Sequence, residues 1–189
     1  MHPLAKQAAA YFANNERAYI RLQYATNDLP RGNYHFSVYA WSYVGISPHF
    51  KLVVVCEDDV IAAELPEILQ ESQSSLASVK INPSDWDNLE KKQVKLWMDA
   101  KNAEIKEAEN TATFKIESLS NNFRNRKRSL EQKIVDTPSD SIRRMYNSEL
   151  ESATESYEMK VEEIRKKVDQ TDIHTTLIAN GILDVIDCL

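Results

Sequence analysis

Seven cations crowd between positions 124 and 144: Arg124, Arg126, Lys127, Arg128, Lys133, Arg143 and Arg144. Glu131, Asp136 and Asp140 oppose them, so the segment carries +4. The whole chain carries −6, which leaves −10 on the remainder. Basic charge gathered in one segment of an acidic protein suits contact with phosphates. Arginine suits it most, because its planar fork meets two phosphate oxygens at once. Arg124, Arg126, Lys127, Arg128, Arg143 and Arg144 are therefore the candidate nucleic-acid-binding residues. The plainer reading is a solvated helix surface with ordinary ion pairs.

Other chemistries have less to stand on. Glu57-Asp58-Asp59 follows a strand-like run, and acids at a strand end can bind Mg²⁺. A metal-dependent nuclease would also need a further acid and a lysine in register, which the sequence does not place. The competing reading is a solvated turn that caps the next helix, since Asp59 precedes Val60-Ile61. Tyr39, Trp41 and Tyr43 form a row that could stack the bases of a single strand, or could be a second buried face. His2, His35, His49 and His174 lack paired ligand spacing. The three glycines, Gly32, Gly45 and Gly181, are isolated, so no loop can cradle phosphates. No cofactor is expected, and the chain is expected not to be an enzyme by itself. Cys56 and Cys188 are too few for a disulfide framework or a zinc set, which points to a reducing, cytoplasmic setting. Met1-His2-Pro3-Leu4 lacks the charged and apolar runs of a signal peptide, and no apolar stretch approaches the ~18 residues of a membrane span.

These residues must be held by definite elements. Hydrophobic residues make up 42%, enough for a core, and 28% charge with only 3 Gly implies much helix. Leu4–Asn14 reads as a short helix behind Pro3. Ala18–Ala25, Tyr34–Val44 and Phe50–Glu57 read as strands, separated by the turns Asn27–Asn33 and Gly45–Pro48. Such short connections predict an antiparallel meander. Val60–Ser72 has helical periodicity, with Pro66 placed to kink or split it.

From Asn82 the character changes to about ninety residues without Gly. Asn82-Pro83-Ser84-Asp85 and Thr137-Pro138-Ser139-Asp140 each offer a cap, a first-turn proline and an acid. One helix should run from about 83 to 136 and a second should start near 138. Ala112, Ile116, Leu119, Phe123, Leu130 and Ile134 make a stripe on the first. Ile142, Tyr146, Leu150, Ala153, Tyr157, Val161, Ile164 and Val168 make one on the second. A tight turn at 136–138 predicts Leu130 opposite Ile142, Phe123 opposite Leu150, Ile116 opposite Tyr157 and Ala112 opposite Val161. The paired part would be about 45 Å long at ~1.5 Å per residue. Trp86, Leu89, Leu96, Trp97 and Ala100 precede it and should pack on the globular part. Ile173–Asn180 reads as a helical turn or two stopped by Gly181, and Ile182–Ile186 as a closing strand.

The expected architecture is α+β: a small antiparallel sheet with flanking helices and a long inserted antiparallel coiled-coil hairpin. Residues 1–104 and 169–189 would form the globular body, and 105–168 the hairpin arm. His2-Pro3-Leu4, Asp28-Leu29-Pro30, Ser141-Ile142-Arg143-Arg144-Met145, Asp172-Ile173-His174 and Gly181-Ile182-Leu183-Asp184-Val185 together resemble the C-terminal region of bacterial Swi/Snf-type helicase-like ATPases, relatives of the RNA-polymerase-recycling ATPase and of phage-defence helicases. The resemblance spans nearly the whole chain, but none of its motifs is catalytic. It implies a cytoplasmic accessory region whose ATPase motor lies upstream in the same polypeptide. Its partners would be that motor and duplex DNA, or a transcription or defence complex. Two rival expectations are a stand-alone protein-interaction coiled coil and a nuclease built on Glu57, Asp58 and Asp59.

Overall fold

The computed structural model describes residues 18–74 and 83–187. The helix expected over Leu4–Asn14, the cap at Asn82, and residues His2 and Cys188 lie outside them. The chain is α+β and divides into two units. One takes the described parts of Met1–Tyr43, Pro48–Lys101 and Ile173–Leu189, and the other takes Val44–Ser47 and Asn102–Asp172.

The first unit is built on a sheet of β1 (Ala18–Ala25), β2 (Gly32–Val44), β3 (His49–Cys56), β4 (Gln73–Ser74) and β5 (Asp172–Ile186), in the order β3-β2-β5-β1-β4. The antiparallel meander is not what forms. β2 and β3 pair antiparallel, from Phe36 opposite Cys56 to Tyr43 opposite His49. β1 is separated from β2 by β5 and pairs parallel to it, from Ala18 opposite Ala179 to Ala25 opposite Ile186. The sheet is therefore mixed. β5 lies between two cores, Ile182 in one and Leu183 in the other, and Ala179-Asn180-Gly181-Ile182-Leu183 is buried without a break.

β5 also corrects the helix expected over Ile173–Asn180, which is strand throughout. Ile173, Thr175, Thr176 and Ile178 are β-branched, stiff at χ1, and fit a pleated surface better than a helix. Gly181 caps nothing. A Cβ built there would lie 2.2 Å from Phe36 Cζ, so the missing side chain makes room for the Phe36 ring.

Alternation along β2 separates two cores. Phe36 joins Cys56, Ile61, Leu65, Ile68, Leu183 and Val185 on one face. Ile61, Leu65 and Ile68 come from α1 (Asp59–Glu71), which runs through Pro66 without splitting. On the other face Tyr39, Trp41 and Tyr43 pack with Trp86, Leu89, Ile173 and Ile182. Trp86 ends a 3₁₀ turn, Pro83–Trp86, and Leu89 belongs to α2 (Asp87–Asp136). Trp97 and Ala100 lie against this core, and Trp97 Nε1 donates to the Ile173 carbonyl at 2.7 Å. Leu96, expected among them, is exposed. Arg21 on β1 donates twice to the Asp184 carboxylate on β5, at 2.7 and 3.0 Å, and that pairing raises the guanidinium pKa further.

In the second unit, α2 and α3 (Asp140–Asp169) are joined by residues 137–139. The second helix thus starts two residues later than Pro138, with Ser139 in the cap position. Ala108, Ala112 and Leu130 of α2 and Ala153 and Val161 of α3 are buried. Ile116, Leu119, Phe123 and Ile134, and Tyr146, Leu150, Tyr157, Ile164 and Val168, are half-buried. Ile142 is exposed. Phe123 stacks on Tyr157 with ring centroids 4.6 Å apart and planes 7° apart.

That contact replaces the expected pairing of Phe123 with Leu150, while Arg126 and Glu149, 3.0 Å apart across the same helices, stay within two residues of the expected register. Two physical causes act in the same direction. The link, 137–139, is centred one residue later than the turn assumed at 136–138, and helical side chains lean towards their own N-terminus. In an antiparallel pair these leans are opposed along the helices, so a given α2 side chain meets an α3 residue further from the link than the Cα positions suggest. Phe123→Ala should cost about 2 kcal/mol, through lost stacking and partial burial. Phe114→Ala, at a side chain 71% exposed, should stay within about 0.5 kcal/mol. Urea unfolding followed by circular dichroism at 222 nm separates the two. Equal losses would show that Phe123 is not part of the packed side.

Candidate nucleic-acid interface

The six candidate residues all lie on α2 and α3, near the link. At 100° per residue, Arg124 and Arg128 share a face of α2 turned away from Phe123 and Leu130. Arg144 lies in the first turn and a half of α3, turned away from Tyr146 and Leu150. The helices do not treat the cations alike. Arg126 pairs with Glu149 across the two helices at 3.0 Å. Lys127 lies 3.9 Å from Glu131, four residues on. Arg143 pairs with Asp140 at 3.1 Å and donates to the Thr137 carbonyl at 3.0 Å, folding back on the link.

Among the described residues the other three meet no acid. Arg124 reaches only the Asn121 amide oxygen at 3.4 Å, and Arg144 only the Asp140 carbonyl at 3.4 Å. Arg128 makes no hydrogen bond or ion pair among the described residues. All three are exposed. Lys133 adds a fourth cation without an acid among the described residues, its Nζ 5.6 Å from the centre of the Tyr146 ring. Sequence spacing could find the cluster. It could not sort its members, because the Arg126–Glu149 pair depends on two helices.

The other candidate chemistries have structural roles. Tyr39, Trp41 and Tyr43 are 7%, 3% and 8% exposed within the core, so they do not form an open row on which successive bases could stack. Asp58, not Asp59, caps α1: its carboxylate accepts from the backbone N–H groups of Val60 and Ile61 at 2.8 and 3.1 Å. Glu57 accepts from the His35 backbone N–H at 3.0 Å and lies 3.0 Å from His35 Nδ1. The lysine that sequence reasoning could not place is Lys92. Its ammonium donates to the Cys56 and Glu57 carbonyls at 3.0 and 3.2 Å and to Asp59 at 2.6 Å. It thereby ties α2 to the end of β3. Among the described residues no group of three or more His, Cys, Asp or Glu is placed to hold a metal ion. Burial pushes the Cys56 thiol pKa up, which suits a packing residue more than a nucleophile. No described helix is long and apolar enough to cross a membrane. No protein-family model and no curated protein sequence matches the chain.

Proposed function

We propose that the chain is a non-catalytic C-terminal accessory domain of a Swi/Snf-type DNA translocase, whose motor lies upstream in the same polypeptide. In this reading α2 and α3 form an antiparallel coiled-coil arm. The cations near its link contact duplex DNA, alone or within a transcription or defence complex. The observation that carries the reading is the set Arg124, Arg128 and Arg144: exposed, turned outward, and without an acid among the described residues. An arginine already held by a carboxylate must give up that bond to bind phosphate, and an unpaired one loses only water. The rest of the chain carries −10 and repels a polyanion, so contact is confined to this segment. Phosphate contacts carry no base information, so binding is sequence-independent and salt-sensitive.

The test is fluorescence anisotropy with a labelled duplex at low salt. Arg124→Glu, Arg128→Glu and Arg144→Glu combined should weaken binding more than about tenfold, with an unchanged far-UV spectrum. Arg126→Gln and Arg143→Gln combined should cost less, because those charges are already neutralised. The log–log salt slope of the unmodified chain should be roughly −2 to −4.

A second reading, a stand-alone protein-interaction coiled coil, is favoured by Phe114, Val135, Met145 and Met159. These apolar side chains are 71%, 79%, 56% and 67% exposed on the same two helices. Absence of duplex binding at any salt would decide for it.

A further inference from the structure

The sheet-bearing unit also holds a cleft of about 190 Å³, well away in sequence from the basic segment. Its walls are apolar on one side, where Leu177 adjoins aromatic rings, and polar on the other. Tyr19 from β1, Tyr39 from β2 and Trp86 from the 3₁₀ turn supply aromatic rings. Asp87 and Glu90, from the first turn of α2, supply carboxylates. Asn180 from β5 completes the polar side, its amide oxygen held by Ser37 Oγ at 2.8 Å.

The aromatic part is a corner. The Tyr19 and Trp86 rings meet at 70° with centroids 5.7 Å apart. Trp86 is held in place, because its Nε1 donates to the Phe36 carbonyl at 3.2 Å and the His35 ring packs T-shaped with it, centroids 5.2 Å apart. The carboxylates are three residues apart, so they share one face of the helix. Both are exposed, and neither takes part in an ion pair or hydrogen bond among the described residues.

An anion would be repelled by this lining. A neutral apolar group would desolvate two carboxylates and return nothing to them. An organic cation satisfies both kinds of wall, since ring faces attract positive charge and the carboxylates neutralise it. The volume is below the range of about 300–1,000 Å³ that holds a whole small-molecule ligand, and fits the head of one side chain. We propose that this cleft binds the ammonium group of a lysine side chain, free or methylated, presented by a partner protein.

The test is a titration of the intact chain followed by the indole N–H signal of Trp86 in ¹H–¹⁵N spectra, assigned with Trp86→Phe. The probes are Nα-acetyl-lysine methylamide, its Nζ-trimethylated form, tetramethylammonium, and neutral Nα-acetyl-norleucine methylamide. The lysine probes should give saturable shifts with millimolar dissociation constants, the trimethylated one tighter, and the norleucine probe none. Asp87→Asn with Glu90→Gln should weaken the lysine probes about fivefold or more while the other resonances stay in place. Norleucine binding as tightly as lysine would reduce the cleft to an apolar crevice and overturn the proposal. So would an unchanged affinity in the double variant, or no saturable shift up to 100 mM. Binding of tetramethylammonium without either lysine probe would overturn the side-chain assignment in favour of a small free cation.

Discussion

Gly181→Ala should destabilise the sheet-bearing unit by about 3 kcal/mol, although alanine is the better strand residue of the two. The added Cβ would fall 2.2 Å from Phe36 Cζ and 2.5 Å from Cε1, closer than non-bonded carbon atoms approach. Relief requires movement, and little is available. Phe36 is fully buried among Cys56, Ile61, Leu65 and Leu183, and Gly181 lies in the middle of a central strand. A close-packed interior passes such strain to its neighbours. The cause can be isolated by shrinking the ring. Phe36→Leu alone should also destabilise, by leaving space that the surroundings fill only partly. Combined with Gly181→Ala it should lose much less than the two losses added together, a coupling of at least about 1 kcal/mol. Urea unfolding of the four proteins measures this. A neutral or stabilising Gly181→Ala would show that the two side chains do not compete for one space.

Leu89→Ala should cost about 3 kcal/mol, while Leu96→Ala, seven residues on along the same helix, should cost under about 1 kcal/mol. Leu89 is 1% exposed and sits in the core with Tyr39, Trp41, Trp86 and Ile173. Truncating it opens a cavity between α2 and the sheet. Leu96 is 45% exposed. Trp97, beside it, carries the contact instead, its indole hydrogen-bonded to the Ile173 carbonyl. Both variants are read from the same unfolding transition. Comparable losses would mean that this part of α2 presents a broader face to the sheet than Leu89, Trp97 and Ala100 provide.

Local chemistry and periodicity determined much of this protein from sequence alone. Alternating aromatic and β-branched residues mark β1, β2 and β3 to within two residues at either end. The long gap between glycines and the three-and-four spacing mark α2, α3 and the side on which each is apolar. The row of Tyr39, Trp41 and Tyr43 was legible as one face of a strand. Whether that face met nucleic acid or protein was not, because the covering residues, Trp86 and Leu89, are more than forty positions away.

The same distance separates what sequence missed. β5 looked helical in its first half because its β-branched residues follow directly on a long helix, and a strand is stabilised by neighbours that periodicity does not name. Its place between β1 and β2 turned an expected meander into a mixed sheet, and made Gly181 a packing residue instead of a helix stop. The basic segment was visible as composition. Its division into paired Arg126 and Arg143 and unpaired Arg124, Arg128 and Arg144 was decided by which side chains two helices bring within reach. The cleft of Tyr19, Trp86, Asp87 and Glu90 left no signal in the sequence, since a run of spaced residues states what each side chain is, and only the packed chain states which of them meet.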